Sequence, residues 1–311
     1  MIETVPLAHS DVLQAAARIA PHCTPTPLLT SHSLDALSSA QLFFKAEHLQ
    51  RSGAFKFRGA CNAVWSLPDE LAARGVVKHS SGNHGAALAL AARTRGIGCH
   101  VVVPEGAVAA KLANISRHGA TLWRCAPTIA AREQQLCAEV QAGSSATLEL
   151  LHQSGGLDVL VAPVGGGGPA AGAALALQSS PDRELVLAEP AGAADTARSL
   201  AAGQRLVDFV PDIICDGLRG TLGAPNLAVL QHAGAQVITV DDAAVVRWCG
   251  GAVVRAIIRL VWQLLKQVVE PSSAIALAAV LAQPARFAGR RVGLILSGGN
   301  LDLDALPWAA A

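Results

Sequence analysis

Short apolar runs alternate with Ala- and Leu-rich stretches along the whole chain. The runs at 42–46, 76–79, 99–103, 120–124, 158–162, 184–188, 236–240 and 292–296 predict strands. Several are continuously apolar rather than alternating, as in a parallel sheet covered on both faces. Helices are predicted between them. One spans 11–20, capped by Ser10 and stopped by Pro21; another spans 83–95 and ends at Gly96 and Gly98. Further helices are predicted at 127–140, 242–266 and 271–283, the last opened by Pro271. Alternating β and α elements predict a doubly wound α/β fold, whose ligands sit at the C-terminal ends of the strands.

Composition narrows the class. A chain of 311 residues, 51% hydrophobic and 15% charged, can bury a sizeable core in one large domain or two small ones, which excludes wholesale disorder. The net charge is +1, and the densest basic cluster is only Arg286, Arg290 and Arg291, which argues against nucleic acid or anionic membrane as partners. The mean hydropathy of +0.39 raises the question of a membrane span. No apolar stretch of about 18 residues runs without a charge, and Arg255 and Arg259 interrupt the best candidate. The start Met1-Ile2-Glu3-Thr4 lacks a charged-then-apolar signal pattern, so a cytoplasmic protein is expected. Seven cysteines, an odd number with no C-x-x-C pair, are expected to be reduced.

Gly165, Gly166, Gly167 and Gly168 follow a predicted strand and open a helix. Consecutive glycines let backbone N–H groups converge, and a helix N-terminus favours negative charge, so the loop fits a phosphate. Read as Gly165-x-Gly167-x-x-Ala170, with Glu189 at the end of the next strand, it also fits a dinucleotide fingerprint. The loop alone leaves both readings open.

Lys56 changes the balance. A lysine is ordinarily a solvated surface residue. Here it lies between Phe55 and Phe57 in Ser52-Gly53-Ala54-Phe55-Lys56-Phe57-Arg58-Gly59-Ala60, where partial desolvation would make the amine a better nucleophile toward an aldehyde. A phosphate loop and an activated lysine are what pyridoxal phosphate requires.

With these residues in view, nearly the whole chain resembles the fold-type II pyridoxal-phosphate enzymes, in the branch of threonine/serine dehydratases and serine racemases. Gly53 to Ala60 is similar to that family's Schiff-base lysine motif, and Ser80-Ser81-Gly82-Asn83-His84-Gly85 to its substrate-carboxylate loop. Gly165 to Gly168 resembles its tetraglycine phosphate cradle, and Leu296-Ser297-Gly298-Gly299-Asn300 the loop whose serine meets the pyridine nitrogen. Four motifs in the family's order displace the dinucleotide reading. The resemblance implies a large cofactor-binding α/β domain of residues 1–46 and 144–311, with residues 47–143 inserted as a small α/β domain. It implies that Lys56 forms the Schiff base and removes the Cα proton, and that Phe55 packs on the cofactor ring. Asn83 would reach the ring oxygen, and Ser80, Ser81, Gly82, Asn83 and His84 would hold the substrate. It further implies a homodimer, and a divalent-cation loop in which Glu189, the carbonyl of Ala193 and Asp195 would bind Mg²⁺ or Ca²⁺ through hard oxygen ligands.

Four departures from the family pattern stand out. The family's Pro- and acid-rich loop and Ala-Gly-Gln-Gly-Thr-like turn are absent after Val140, where 141–145 run into a predicted helix at 146–151. Pro169 follows the glycines and removes one N–H donor, and Ala54 stands where many relatives carry serine. Gly250 and Gly251 interrupt the predicted helix 242–266, at about 1 kcal/mol each relative to alanine. No regulatory domain is expected after Trp308. The chemistry expected is β-elimination from L-serine or L-threonine to a 2-oxo acid and ammonia. Two alternatives stay open: a serine, aspartate or hydroxyaspartate racemase in which Ser81 is the acid on the opposite cofactor face, and a cofactor-binding protein with little catalysis.

Overall fold

The computed structural model describes residues 8–80, 82–105, 109–125, 136–242, 248–250, 253–255 and 257–302. Eleven strands are seen among them: β1 (Leu28–Leu29), β2 (Gln41–Lys45), β3 (Val76–His79), β4 (Cys99–Pro104), β5 (Thr121–Cys125), β6 (Val159–Pro163), β7 (Glu184–Pro190), β8 (Gln236–Val240), β9 (Trp248–Gly250), β10 (Val253–Arg255) and β11 (Arg291–Ile295). The large sheet runs β1-β2-β11-β6-β7-β8, and only the β1–β2 pair is antiparallel. A separate parallel sheet runs β3-β4-β5 and lies wholly within residues 47–143. The eight predicted strands correspond to β2 to β8 and β11, with ends shifted by a residue or so.

The two-residue period of a strand explains the layering. Leu42, Phe44, Val159, Val161, Val186, Ala188, Val292 and Leu294 point to one core, which contains the helix Pro271–Ala282. Phe43, Leu160, Ala162, Leu185, Leu187 and Ile295 point to the other, which contains the helix Gly168–Leu177. Both faces are covered, which is why these strands read as unbroken apolar runs. A third core joins Val101 and Val103 of the small sheet to the helices Lys56–Trp65 and Asn83–Arg95.

Four predicted helices are corrected. The first is His9–Ile19, and its cap is not Ser10: the Ala8 N–H donates to Asp11 Oδ2 at 2.8 Å. Among the described residues after β10, the helix predicted at 242–266 is seen as Ile257–Leu260, followed by one π turn at Val261–Leu265. Ahead of it, β9 and β10 pair antiparallel, with Gly250 opposite Val253. Adjacent β-branched valines favour a pleated strand, and glycine weakens a helix. The helices predicted at 127–140 and 146–151 are not two: Leu136–Ser154 is one continuous helix, while residues 126–135 lie outside the described residues. That helix runs through position 143/144, where the inserted domain was expected to end.

Candidate active site

Loops at the C-terminal ends of strands converge here, as the fold class requires. The segment before Lys56 and the loop after β11 are stitched together. Ala54 bridges Gly298, the Phe55 N–H donates to the Ser297 carbonyl, and the Gly299 N–H donates to the Gly53 carbonyl, both at 2.9 Å. Lys56 opens its helix immediately afterwards and is half-buried, with Nζ 5.0 Å from the centroid of the Phe55 ring. Asn300 brings in the third partner: its Nδ2 donates to the Ser52 carbonyl and to Asn83 Oδ1, each at 2.9 Å. The segments that carry Lys56, Asn83 and Ser297, from three separate motifs, are thus joined by one hydrogen-bonded network.

Asn83 also donates from Nδ2 to both oxygens of Glu270, at 2.9 Å. Glu270 is buried, and burial pushes its carboxyl pKa up against the opposing effects of Asn83, Lys111 and Lys56. A Cβ on Gly298 would lie 2.6 Å from Glu270 Oε1, so only glycine admits this carboxyl. Sequence reasoning missed Glu270. Its signal was a lone carboxylate placed before Pro271, at the mouth of a helix with no other charge. It also missed Lys111, which pairs across the site with Asp216 of the turn Asp216–Leu218.

In the carboxylate loop, Ser80 Oγ accepts from the Gly85 N–H at 3.1 Å and from the Gly82 N–H at 3.4 Å. Gly82 caps the helix Asn83–Arg95, and a Cβ there would meet nothing within 4 Å. That open space borders a helix N-terminus, a setting that favours an anion. His84 is half-buried on the first turn. Ser81 lies outside the described residues.

The glycine loop follows β6 and opens Gly168–Leu177. A Cβ on Gly165 would lie 2.8 Å from Leu218 Cα, and one on Gly167, whose φ is +85°, would lie 2.5 Å from Leu222 Cδ1. Gly166 turns its carbonyl away, to Asn226 Nδ2 at 2.7 Å and the Gly223 N–H at 3.1 Å. Pro169 stands on the first helical turn, so the cradle has one donor fewer. Ser297 is buried, with Oγ 3.1 Å from Ser273 Oγ. A side-chain-free cradle and a neutral hydroxyl across from Lys56 fit a phosphorylated aldehyde with a ring nitrogen.

Glu189 and Asp195 are both buried at the end of β7. Glu189 accepts from the backbone N–H groups of Thr196 at 2.8 Å and Ala197 at 2.9 Å; burial nonetheless pushes its pKa up to about 7. Asp195 Oδ2 accepts from the Leu222 N–H at 2.7 Å, while Oδ1 is buried with no hydrogen-bond partner. Ala193 is buried on the intervening turn. Among the described residues no group of three His, Cys, Asp or Glu side chains could hold a metal, so a cation here would draw its further ligands from backbone carbonyls or water. The orphaned Asp195 oxygen fits one.

Two parallel α/β sheets with a lysine, a glycine cradle and a buried serine between their strand ends define a fold-type II pyridoxal-phosphate enzyme. Residues 19–298 match the family model for pyridoxal-phosphate dependent enzymes, and the chain belongs to that family. It is 41% identical to the beta-hydroxyaspartate dehydratase of Paracoccus denitrificans, over 96% of this chain and 98% of that one. It is 39% identical to the serine racemase of Dictyostelium discoideum, over 95% of each. Among solved structures, maize serine racemase superposes with a TM-score of 0.88 at 37% identity, covering 97% of this chain and 96% of that one. Among the described residues no helix is long and apolar enough to cross a membrane.

Proposed function

We propose that the protein is an ammonia-lyase that dehydrates and deaminates a small 3-hydroxy amino acid to a 2-oxo acid: L-serine, L-threonine or, as in the Paracoccus relative, a 3-hydroxyaspartate. The observation that carries this is the network joining Lys56, Ser297 and Asn83 through Asn300 and the Ala54–Gly298 bridge. Pyridoxal phosphate, when bound, supplies an electron sink beside the substrate Cα.

The chain supplies the rest. Lys56 Nζ holds the cofactor and then takes the Cα proton. Phe55 packs on the ring, and Gly165, Gly166, Gly167 and Gly168 receive the phosphate. Ser80, Ser81, Gly82, Asn83 and His84 bind the substrate carboxylate at the helix N-terminus. Ser297 faces the pyridine nitrogen with a neutral hydroxyl, which leaves that nitrogen less protonated than a carboxylate would. A weakened sink suits prompt loss of the β-hydroxyl. The similarity to serine racemases favours one second reading, reprotonation of Cα from the other face by Ser81. Mg²⁺ or Ca²⁺ on Glu189, Asp195 and the Ala193 carbonyl, a homodimer, and the inserted domain of residues 47–143 belong to the same proposal.

The test is turnover of L-serine, L-threonine and 3-hydroxyaspartate, with 2-oxo acid, ammonia and substrate chirality followed together. Stoichiometric 2-oxo acid and ammonia support the lyase. Inversion without ammonia supports the racemase.

A further inference from the structure

Four charged side chains lie beneath Lys56 with no part in the chemistry above. Lys45 and Glu47 flank the end of β2, Arg58 sits on the first turn of the Lys56 helix, and Glu149 projects from Leu136–Ser154. Lys45 and Glu47 are wholly buried, and Arg58 is 1% exposed.

Their hydrogen bonds close completely. Arg58 Nε donates to Glu47 Oε2 and Nη2 to Glu47 Oε1, both at 2.7 Å. Arg58 Nη1 donates to Glu149 Oε1 at 2.7 Å and to Ser145 Oγ at 3.3 Å, and Nη2 donates to Glu149 Oε2 at 2.9 Å. All the N–H donors of the guanidinium are used, in two forks that a lysine cannot reproduce. Lys45 Nζ donates to Glu149 Oε2 at 2.6 Å, the Thr26 carbonyl at 2.7 Å and Gln153 Oε1 at 3.0 Å, which uses all its donors too. Thr26 Oγ1 donates to Glu47 Oε1 at 2.6 Å. Two cations and two anions leave no net charge.

Stability alone does not account for this arrangement. Buried ion pairs are often replaced by apolar side chains without loss, because desolvation offsets the attraction. What a fully satisfied polar network adds is a single geometry. Here that geometry is imposed two residues after Lys56, from β2 on one side and from Leu136–Ser154 on the other.

We propose that Arg58, clamped between Glu47 and Glu149, is a positioning residue that fixes the first helical turn and so the direction in which Lys56 projects into the site. Lys45 acts behind it by holding Glu149. The inference rests on Lys56 as the cofactor lysine. A shift of about 1 Å at a reacting group can cost about 100-fold in rate.

The test is Arg58→Lys, saturated with pyridoxal phosphate and shown folded by circular dichroism. The readouts are the visible Schiff-base band, the yield of borohydride-trapped Lys56, kcat and KM. We expect a weakened band, reduced trapping and a kcat lower by about 10- to 100-fold, with KM changing less. A folded Arg58→Lys protein with an unaltered band and kcat would overturn the proposal while leaving Lys56 in its role. A wild-type protein without the band would overturn both. If Arg58→Lys does not fold, Glu149→Gln, which keeps volume and hydrogen bonding, is read in the same way. Failure of both to fold would assign the network to stability alone and overturn the proposal.

Discussion

Buried Glu47 and half-buried Glu149 pair with Arg58 and Lys45, whereas the hydrogen bonds seen at Glu189 and Asp195 come from the backbone N–H groups of Thr196, Ala197 and Leu222. The consequences are opposite. Burial alone would push Glu149 up, but Arg58 and Lys45 bring its pKa below the ordinary value; Glu189, without such partners, is pushed up to about 7. The comparison teaches where the chain pairs its carboxylates with its own cations and where backbone N–H groups serve instead. The first pair belongs to a hydrogen-bonded joint that is closed at Glu47 and partly open to solvent at Glu149. The second has an orphaned oxygen on Asp195 whose other oxygen holds Leu222, the residue packed against Gly167 of the cradle.

The largest effect expected from breaking this comparison is at Glu47. Glu47→Ala leaves buried Arg58 with only the half-buried carboxylate of Glu149 and should cost about 3–5 kcal/mol, read by denaturant unfolding. Next comes the cradle. Gly165→Ala drives a Cβ into the Leu218 backbone, an overpacking of about 1–3 kcal/mol, and should weaken cofactor binding about tenfold or more in a fluorescence titration. Glu189 and Asp195 follow. Mg²⁺ or Ca²⁺ at about 100 times its Kd should stabilise the protein by about 2.7 kcal/mol, seen as a higher melting temperature, and Asp195→Asn should abolish that rise.

The smallest effect is the dependence on pH. Because Glu149 has a lowered pKa in the folded state, its contribution is fully present above its unfolded value of about 4.5 and is lost as pH falls through the folded one. Glu149→Gln should therefore flatten the loss of stability below about pH 4.5, measured by thermal melting across acid buffers.

The strands of both sheets other than β1 were legible because their apolar runs report burial on two faces, as at Val159 to Ala162 and Leu185 to Ala188. Lys56, Asn83, the glycines and Ser297 were legible because each sits in a local motif at a strand end. The long helix predicted at 242–266 failed because its Ala, Leu and Arg content outweighed Gly250 in β9 and the paired valines of β10. Glu270, the Lys111–Asp216 pair and the Arg58 network were not legible, because their partners lie far away in sequence. Asn83 and Glu270 are 187 residues apart, and Arg58 and Glu149 are 91 apart. Only the fold brings such groups together.

The most direct test of the account is borohydride reduction of the protein saturated with pyridoxal phosphate, followed by peptide mapping. The account predicts a single pyridoxyl label on Lys56 and its loss in Lys56→Ala. A label on another lysine, or none, would contradict it.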